Sequence, residues 1–283
     1  MLKKDNTVIV TGGAGFIGSR FVEDLHEDNE YNIIIIDNKS AFDRKSNEVK
    51  LLKDYTFFDY NDQKAIDDGL KGLNINTVFH IGACADVLSN NTKKMLDLNF
   101  NSSLFWYYFT SAKNIPFIWA SSSAVYGNEL NNVVSYKFEK VLNEYGLSKL
   151  LFDKFMKYDL KVNNANNKRI GLRFFNIFGR GESHKGKNAS IPRRFYDLIN
   201  AGGKIPLFNE EISRDYVHID DLLKILKYCW KNTVDNGIYN LGSGESIQHS
   251  EIAIIVAKKY CEKNNKIFIE DEIIENIPLP NIL

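Results

Sequence analysis

Cysteine is scarce: Cys84, Cys229 and Cys261 are the only three in 283 residues, odd in number and without CxxC spacing. A disulfide framework or a zinc site needs paired or clustered cysteines, so no metal is expected and a reducing compartment fits better. Net charge is also lacking, since 36 Lys and Arg offset 36 Asp and Glu. That balance offers no basic field to a polyanion, and no nucleic-acid partner is expected. Long apolar runs are missing too. After Lys3 and Lys4 comes only Val8-Ile9-Val10, and the longest aliphatic run spans 33–36, far short of a signal-peptide core or the ~20 residues of a membrane helix. The expectation is a soluble, cytoplasmic protein with no membrane partner. Hydrophobic residues make up 44% and charged ones 25%, enough to bury a core, which excludes a disordered or fibrous chain. At roughly 100–200 residues per domain, the length suits one large domain or a large domain with a second lobe.

The first half alternates short β-branched runs, at 8–10, 33–36, 56–58, 77–81 and 117–120, with amphipathic helical patterns at 16–26, 63–70 and 95–112. Continuous apolar strands alternating with helices imply a parallel sheet covered on both faces, a doubly wound α/β (Rossmann) fold. Beyond Ser123 the rhythm loosens: helices at 142–159, 191–200, 221–231 and 250–263, strands at 170–174, 216–219 and 238–241, a turn at Gly202-Gly203 and a polar loop at 179–188. This reading places a cofactor domain over 1–170 and a smaller mixed α/β lobe, mainly for substrate, over 171–283, interleaved and without a clean linker. Asn163-Asn164 and Asn166-Asn167 read as a surface loop before a strand.

Directly after the first strand stands Thr11-Gly12-Gly13-Ala14-Gly15-Phe16-Ile17-Gly18, opening a helix. Glycines permit a tight turn and close approach to a pyrophosphate, which the amide end of the helix then attracts. The second strand ends in Asp37 and Asn38, where an acid can accept hydrogen bonds from an adenosine ribose. Asp37 favours NAD, but Lys39, Arg44 and Lys45 follow and could hold the 2′-phosphate of NADP; they equally suit a solvated loop, so the cofactor reads as NADP or NAD.

Tyr145 and Lys149 are four apart at the start of a helix, hence on one face, where an ammonium can lower the phenol pKa and reach a cofactor ribose. Such a phenolate can take the proton of a substrate hydroxyl while hydride leaves the same carbon. Ala120-Ser121-Ser122-Ser123-Ala124-Val125-Tyr126-Gly127 begins at a strand end, the edge at which doubly wound sheets bind ligands.

Together the glycine loop, this serine stretch and Tyr145-x-x-x-Lys149 resemble the extended short-chain dehydrogenases/reductases, the NAD(P)-dependent sugar-nucleotide epimerases and dehydratases, over nearly the whole chain. The resemblance implies that Ser122 takes the catalytic Ser/Thr role, Tyr145 is the acid/base and Lys149 supports it. Ile81, Gly82, Ala83 and Asn99 join the cofactor contacts. It further implies a nucleotide-activated sugar as substrate and a homo-oligomer.

Within that family His80-Ile81-Gly82-Ala83-Cys84-Ala85, the stretch 171–179, His184-Lys185-Gly186 and Arg214-Asp215-Tyr216-Val217 are most similar to the ADP-glycero-manno-heptose 6-epimerase group of lipopolysaccharide biosynthesis. There the lysine of His-Lys-Gly works opposite the tyrosine, which makes Lys185 the second acid/base. Inversion by oxidation and re-reduction requires the keto sugar to present both faces, with a proton donor for each. Asn176 would contact the sugar and Phe208 the substrate. Arg214 would pair with the diphosphate, for which guanidinium geometry is suited, with Arg193 and Arg194 as further candidates.

Departures leave other readings open. The hydroxyl-rich continuation usual after Gly-Ala-Cys is here Ala85-Asp86-Val87-Leu88, the loop reads Gly179-Arg180-Gly181-Glu182 in place of Gly-Pro-Arg-Glu, and Lys187 replaces a small polar residue. A C4 epimerase, dehydratase or dehydrogenase of another nucleotide sugar, including a GDP-heptose, is the second reading, and a non-catalytic NAD(P)-binding regulator the third. Family members usually continue for some tens of residues beyond Ile277-Pro278-Leu279-Pro280, whereas this sequence stops at Leu283; the expectation is either an incomplete sequence or a shortened member with a more open sugar pocket.

Overall fold

The computed structural model describes residues 6–86, 91–129, 133–163 and 167–278. Lys3, Lys4, Val87, Leu88, Asn164, Asn166, Leu279, Pro280 and Leu283 lie outside the described residues. The chain folds as two compact units. The first runs to Phe174 and includes Asp221–Leu241; the second comprises Phe175–Asp220 and the residues from Gly242 onward.

The first unit is built from β1 (Thr7–Thr11), α1 (Phe16–Asp28), β2 (Asn32–Asp37), α2 (Lys39–Glu48), β3 (Thr56–Asp59), α3 (Gln63–Leu70), β4 (Ile75–His80), α4 (Thr92–Met95), α5 (Ser102–Ala112), β5 (Phe117–Ser122), α6 (Glu144–Val162) and β6 (Arg169–Phe174). In the second, β7 (Asn176–Phe178), α7 (Ile191–Asn200), β8 (Ile205–Phe208) and β9 (Ser213–His218) precede α8 (Ile219–Lys231). From Asp221 onward α8 belongs to the first unit, as does β10 (Gly237–Leu241); β11 (Ser246–Gln248), α9 (His249–Lys263), α10 (Glu270–Ile273) and β12 (Ile274–Ile277) complete the second.

Seven strands form the first unit's parallel sheet in the order β10-β6-β5-β4-β1-β2-β3. The strand order reverses between β1 and β4, the switch point at which such sheets open a ligand crevice beyond their carboxyl ends. β1, β5 and β6 are buried at every residue, because helices cover both faces and leave no polar side to alternate with. Ile9, Val78, Phe117 and Trp119 pack with Trp106 and Tyr107 of α5 and Phe152 and Met156 of α6. Lys168, just before β6, donates to the carbonyls of Cys229, Trp230 and Asn232, each at 2.6 Å, satisfying acceptors that the end of α8 leaves without helical donors.

Local chemistry explains where the expected elements differ. The segment containing Lys39, Arg44 and Lys45 forms α2 and not a solvated loop. Asn38 accepts from Ser40 N at 3.0 Å as its cap, Phe42 stacks on Phe57 at 4.1 Å, and Lys45 is buried with its ammonium on Glu48 at 2.9 Å. The helical pattern over 95–112 is interrupted by a π-helical stretch, Leu96–Asn101. The loop over 179–188 holds 3₁₀ turns at Ser183–Asn188, broken where Gly186 adopts φ +52°.

The second unit has a three-stranded sheet, β11-β9-β7, and a parallel pair, β12-β8. Its core joins Phe195 and Ile199 of α7 to Ile252, Ala253 and Ala257 of α9 and to Ile205 and Ile274. Among the described residues no helix is long and apolar enough to cross a membrane.

Candidate active site

At the end of β1 the chain turns through Gly12, at φ +70°, a left-handed conformation that glycine adopts without Cβ strain. A Cβ on Gly12 would come within 2.5 Å of Gly82 Cα, so the turn after β1 fits against the second residue beyond β4 only because Gly12 has no side chain. A Cβ on Gly18 would overlap the Gly12 carbonyl oxygen. Helix α1 begins at Phe16 with Gly15 as its cap and no side-chain hydrogen bond there, so Phe16, Ile17 and Gly18 present backbone at its positive end. Asp37 completes the cradle. Its carboxylate accepts from Ala14 N at 2.9 Å and Asn38 N at 2.7 Å; burial pushes the carboxyl above its usual value, opposed by these amides and by Arg44. Arg44 is exposed on α2, and Asn38 is occupied in capping that helix. A glycine cradle, an uncapped helix start and a carboxylate at the end of β2 fit the pyrophosphate and ribose of a dinucleotide.

Ser122 ends β5, while Tyr145 and Lys149 lie in the first turns of α6, which Asn143 caps by accepting from Gly146 N at 2.8 Å. The Ser122 hydroxyl accepts from Ala124 N at 3.1 Å and lies close enough to the Tyr145 phenol to influence it. Burial raises that phenol and Ser122 opposes the rise. The expected lowering by Lys149 is thus not what governs the phenol. Lys149 is buried, donates to Ala120 O at 2.9 Å, and is lowered by burial to about 8 against the upward pull of Asp153.

Asn99 sits in the π-helical stretch, where its side chain accepts from Cys84 N at 2.7 Å and donates to Cys84 O at 3.0 Å and Ser148 Oγ at 2.9 Å. It thereby ties the segment of Ile81, Gly82 and Ala83 to the tyrosine helix; π turns recur at functional sites. Beside it, His80 bonds Thr11 Oγ1 at 2.8 Å and Ser103 Oγ at 2.9 Å. Burial and then the Lys149 charge lower this imidazole to about 3, so it is neutral.

Beneath the lysine lies a buried charge cluster that sequence reasoning missed. Arg173 donates to Asp153 at 2.8 Å, Glu139 at 2.6 Å and Tyr126 Oη at 2.9 Å. Asp153 also accepts from Ser121 Oγ at 2.8 Å, which sets the serine beside Ser122 into this network.

In the second unit Lys185 lies on the 3₁₀ loop, its ammonium lowered by burial and supported by Glu182. Glu182 is itself 2% exposed; its carboxylate accepts from Gly179 N at 3.2 Å and from Ser190 N and Oγ, both at 2.7 Å, joining the two ends of the loop. Asn176 is on β7, its amide donating to Asp215 O at 2.8 Å. A cavity of about 230 Å³ is lined by Arg194, Phe208, His249 and Ser250 among others. Arg214 lies within electrostatic range of Tyr216 and His249, as does Arg194. Among the described residues neither guanidinium pairs with a carboxylate. Arg193 differs: its Nε is held by Asp197 at 2.8 and 2.9 Å, which removes it from the diphosphate candidates. An Arg and an Asp four apart on a helix were a legible sign of that pairing.

The model of the NAD dependent epimerase/dehydratase family matches residues 8–242. The chain is similar to the solved ADP-L-glycero-D-manno-heptose-6-epimerase of Helicobacter pylori, at 27% identity and a TM-score of 0.80, over 97% of this chain and 86% of that one. It shares the fold of the UDP-N-acetylglucosamine 4-epimerase from Methanobrevibacter ruminantium in complex with UDP-N-acetylmuramic acid, at 24% identity and a TM-score of 0.80, over 98% and 87% of the two chains. The same fold is seen in the UDP-glucuronic acid 4-epimerase of Bacillus cereus in complex with NAD, at 18% identity and a TM-score of 0.74, over 96% and 87%.

Proposed function

The chain belongs to the NAD dependent epimerase/dehydratase family, and on that premise we propose that this NAD-dependent enzyme inverts C6 of an ADP-activated glycero-manno-heptose. The observation that carries catalysis is the Tyr145 phenol beside Ser122, with Lys149 buried one turn along α6. On this reading Gly12, Gly15, Phe16, Ile17, Gly18, Asp37 and the residues after β4 hold NAD, which when bound supplies the hydride acceptor and donor. The first unit is then the cofactor domain and the second recognises the sugar nucleotide.

Tyr145 takes the proton of the sugar hydroxyl, and Ser122 orients that oxygen. Tyr145 does so as the phenolate, and because burial raises the phenol, that phenolate is a strong base for the proton. Lys149, lowered to about 8, is mostly ammonium at neutral pH and lies one turn from the phenol. Inversion requires the keto sugar to turn over, and Lys185 is the proton donor for the second orientation. Its lowered pKa makes it a better acid than a solvated lysine. Arg194 and Arg214 hold the diphosphate, and Phe208 lines the same cavity as Arg194. Support for the heptose comes from the His184-Lys185-Gly186 and Arg214-Asp215-Tyr216-Val217 stretches and from the 27% identity to the H. pylori enzyme.

A second reading, a 4-epimerase, dehydratase or dehydrogenase of another nucleotide sugar, is favoured by Ala85 and Asp86, which replace hydroxyls usual in the heptose group. NAD-loaded protein should convert ADP-glycero-manno-heptose to its C6 epimer without added reductant, followed by proton NMR. Turnover of a UDP-, GDP- or dTDP-sugar with the heptose untouched would replace the first reading by the second.

A further inference from the structure

We propose that His249 is a third contact for the diphosphate of the nucleotide, beside Arg194 and Arg214, and that it takes up a proton as that anion binds. The inference rests on the nucleotide-sugar reading above and deepens it. His249 is half-buried, opens α9 and lines the cavity that also holds Arg194 and Phe208. Its Nε2 lies 3.1 Å from the Tyr216 hydroxyl. Among the described residues nothing hydrogen-bonds Nδ1, so that nitrogen is left for a ligand.

The charges around the ring explain why it would be neutral before binding and charged after. Arg214 and Tyr216 face it from β9 and Arg194 from α7. Glu210 and Glu211 line the same cavity from the turn after β8, where Glu211 accepts from Ser250 Oγ at 2.9 Å. Burial first, and then Arg214 and Arg194, hold the imidazole below its ordinary value. As the first residue of a 15-residue helix, His249 also sits at the positive end of its dipole, which opposes a second positive charge. A diphosphate reverses these influences: it neutralises both guanidiniums, interacts favourably with the helix end and attracts an imidazolium directly. Tyr216, raised to about 12 by burial although both arginines oppose the rise, stays a neutral phenol throughout. It can therefore donate to neutral Nε2 and accept from it once protonated, holding the ring in one orientation through the change.

Proton uptake on binding obliges affinity to fall as pH rises, by up to about tenfold per pH unit between the pKa values of the free and bound ring. The probes are ADP-glucose and UDP-glucose, whose diphosphates are diesters and do not titrate in this range. Calorimetric titrations of the NAD-loaded protein at pH 5.5–8, in buffers of different ionisation heat, should show a proton taken up near neutrality. His249→Gln should abolish the uptake and flatten the pH dependence. Binding without proton uptake, or uptake that persists in His249→Gln, would overturn the inference and leave the nucleotide-sugar reading standing. No binding of either probe or of GDP-glucose would overturn that reading, and the inference with it.

Discussion

Arg173 of the first unit and Arg194 and Arg214 of the second are held in opposite ways. In the first, Arg173 is fully buried and each of its nitrogens has a partner, with Asp153, Glu139 and Tyr126 around one guanidinium. In the second, Arg194 and Arg214 are exposed, Arg194 lining a cavity, and among the described residues neither pairs with a carboxylate. A buried cation bonded at every nitrogen fixes a shape, because any loss leaves its partners stranded in low dielectric. A cation without a counter-ion is available to an anion that arrives from solution. The first unit therefore holds its chemistry ready-made, whereas the second is left to be completed by a ligand.

The largest effect should come from Tyr145→Phe. The phenol lies beside Ser122 and makes no hydrogen bond to the charge cluster among the described residues, so its removal spares that cluster. Turnover should fall by about 10²–10⁴ while NAD binding and melting temperature hold; residual activity within threefold of the parent would remove Tyr145 from the chemistry. Next, paired substitutions test the contrast itself. Arg173→Met strands Asp153 and Glu139 and should cost about 3–5 kcal/mol, read from urea unfolding. Arg214→Met should stay within about 0.5 kcal/mol yet weaken binding of nucleotide sugars. Equal stability losses in the two variants would dissolve the distinction between the units.

A third expectation concerns acid. His80 is buried and its pKa is lowered to about 3, against about 6.5 in an unfolded chain. Between these values the unfolded chain binds the extra proton, so stability rises with pH across the window. It is therefore lost as pH falls from about 6.5 toward 3, at up to ~1.4 kcal/mol per pH unit from this one group. Unfolding curves of the protein and of His80→Gln should diverge least near pH 4 and most above 6.5; parallel curves would show that His80 is not the acid-sensitive group.

The first unit was also the more legible one. Strands buried on both faces appear in sequence as unbroken apolar runs, so β1 to β6 were found within two residues. Helices α3 and α7 were legible to their ends because Asp62 and Ser190 cap them locally. Helix α2 was not, since its support from Phe57 is nonlocal and its own residues are mostly polar. Strands β7, β8, β11 and β12, of three or four residues, are too short to show a period. Within the site the same division holds. The glycine loop and the Ser122, Tyr145 and Lys149 pattern are local signals, but Arg173 meets Asp153 across 20 residues and Tyr216 meets His249 across 33. No spacing rule announces such pairs.

The smallest expected effect falls on a residue that combines both behaviours. Glu182 is buried with both oxygens bonded, as Asp153 is in the first unit, yet it sits in the second, where it supports the charge of Lys185. Glu182→Gln keeps one oxygen to accept from Gly179 or Ser190 but turns an amide toward the remaining donor, at a cost of about 1–3 kcal/mol. It also removes the negative charge that holds Lys185 up against burial, so the lysine should lose its proton at lower pH. If Lys185 serves as an acid, the alkaline limb of the kcat profile should move down by under one unit, with less than about tenfold loss at the optimum. Loss of stability with an unmoved limb would make Glu182 a loop staple alone. Glu182→Asp, with the charge kept but the reach shortened, should restore the limb more fully than it restores stability.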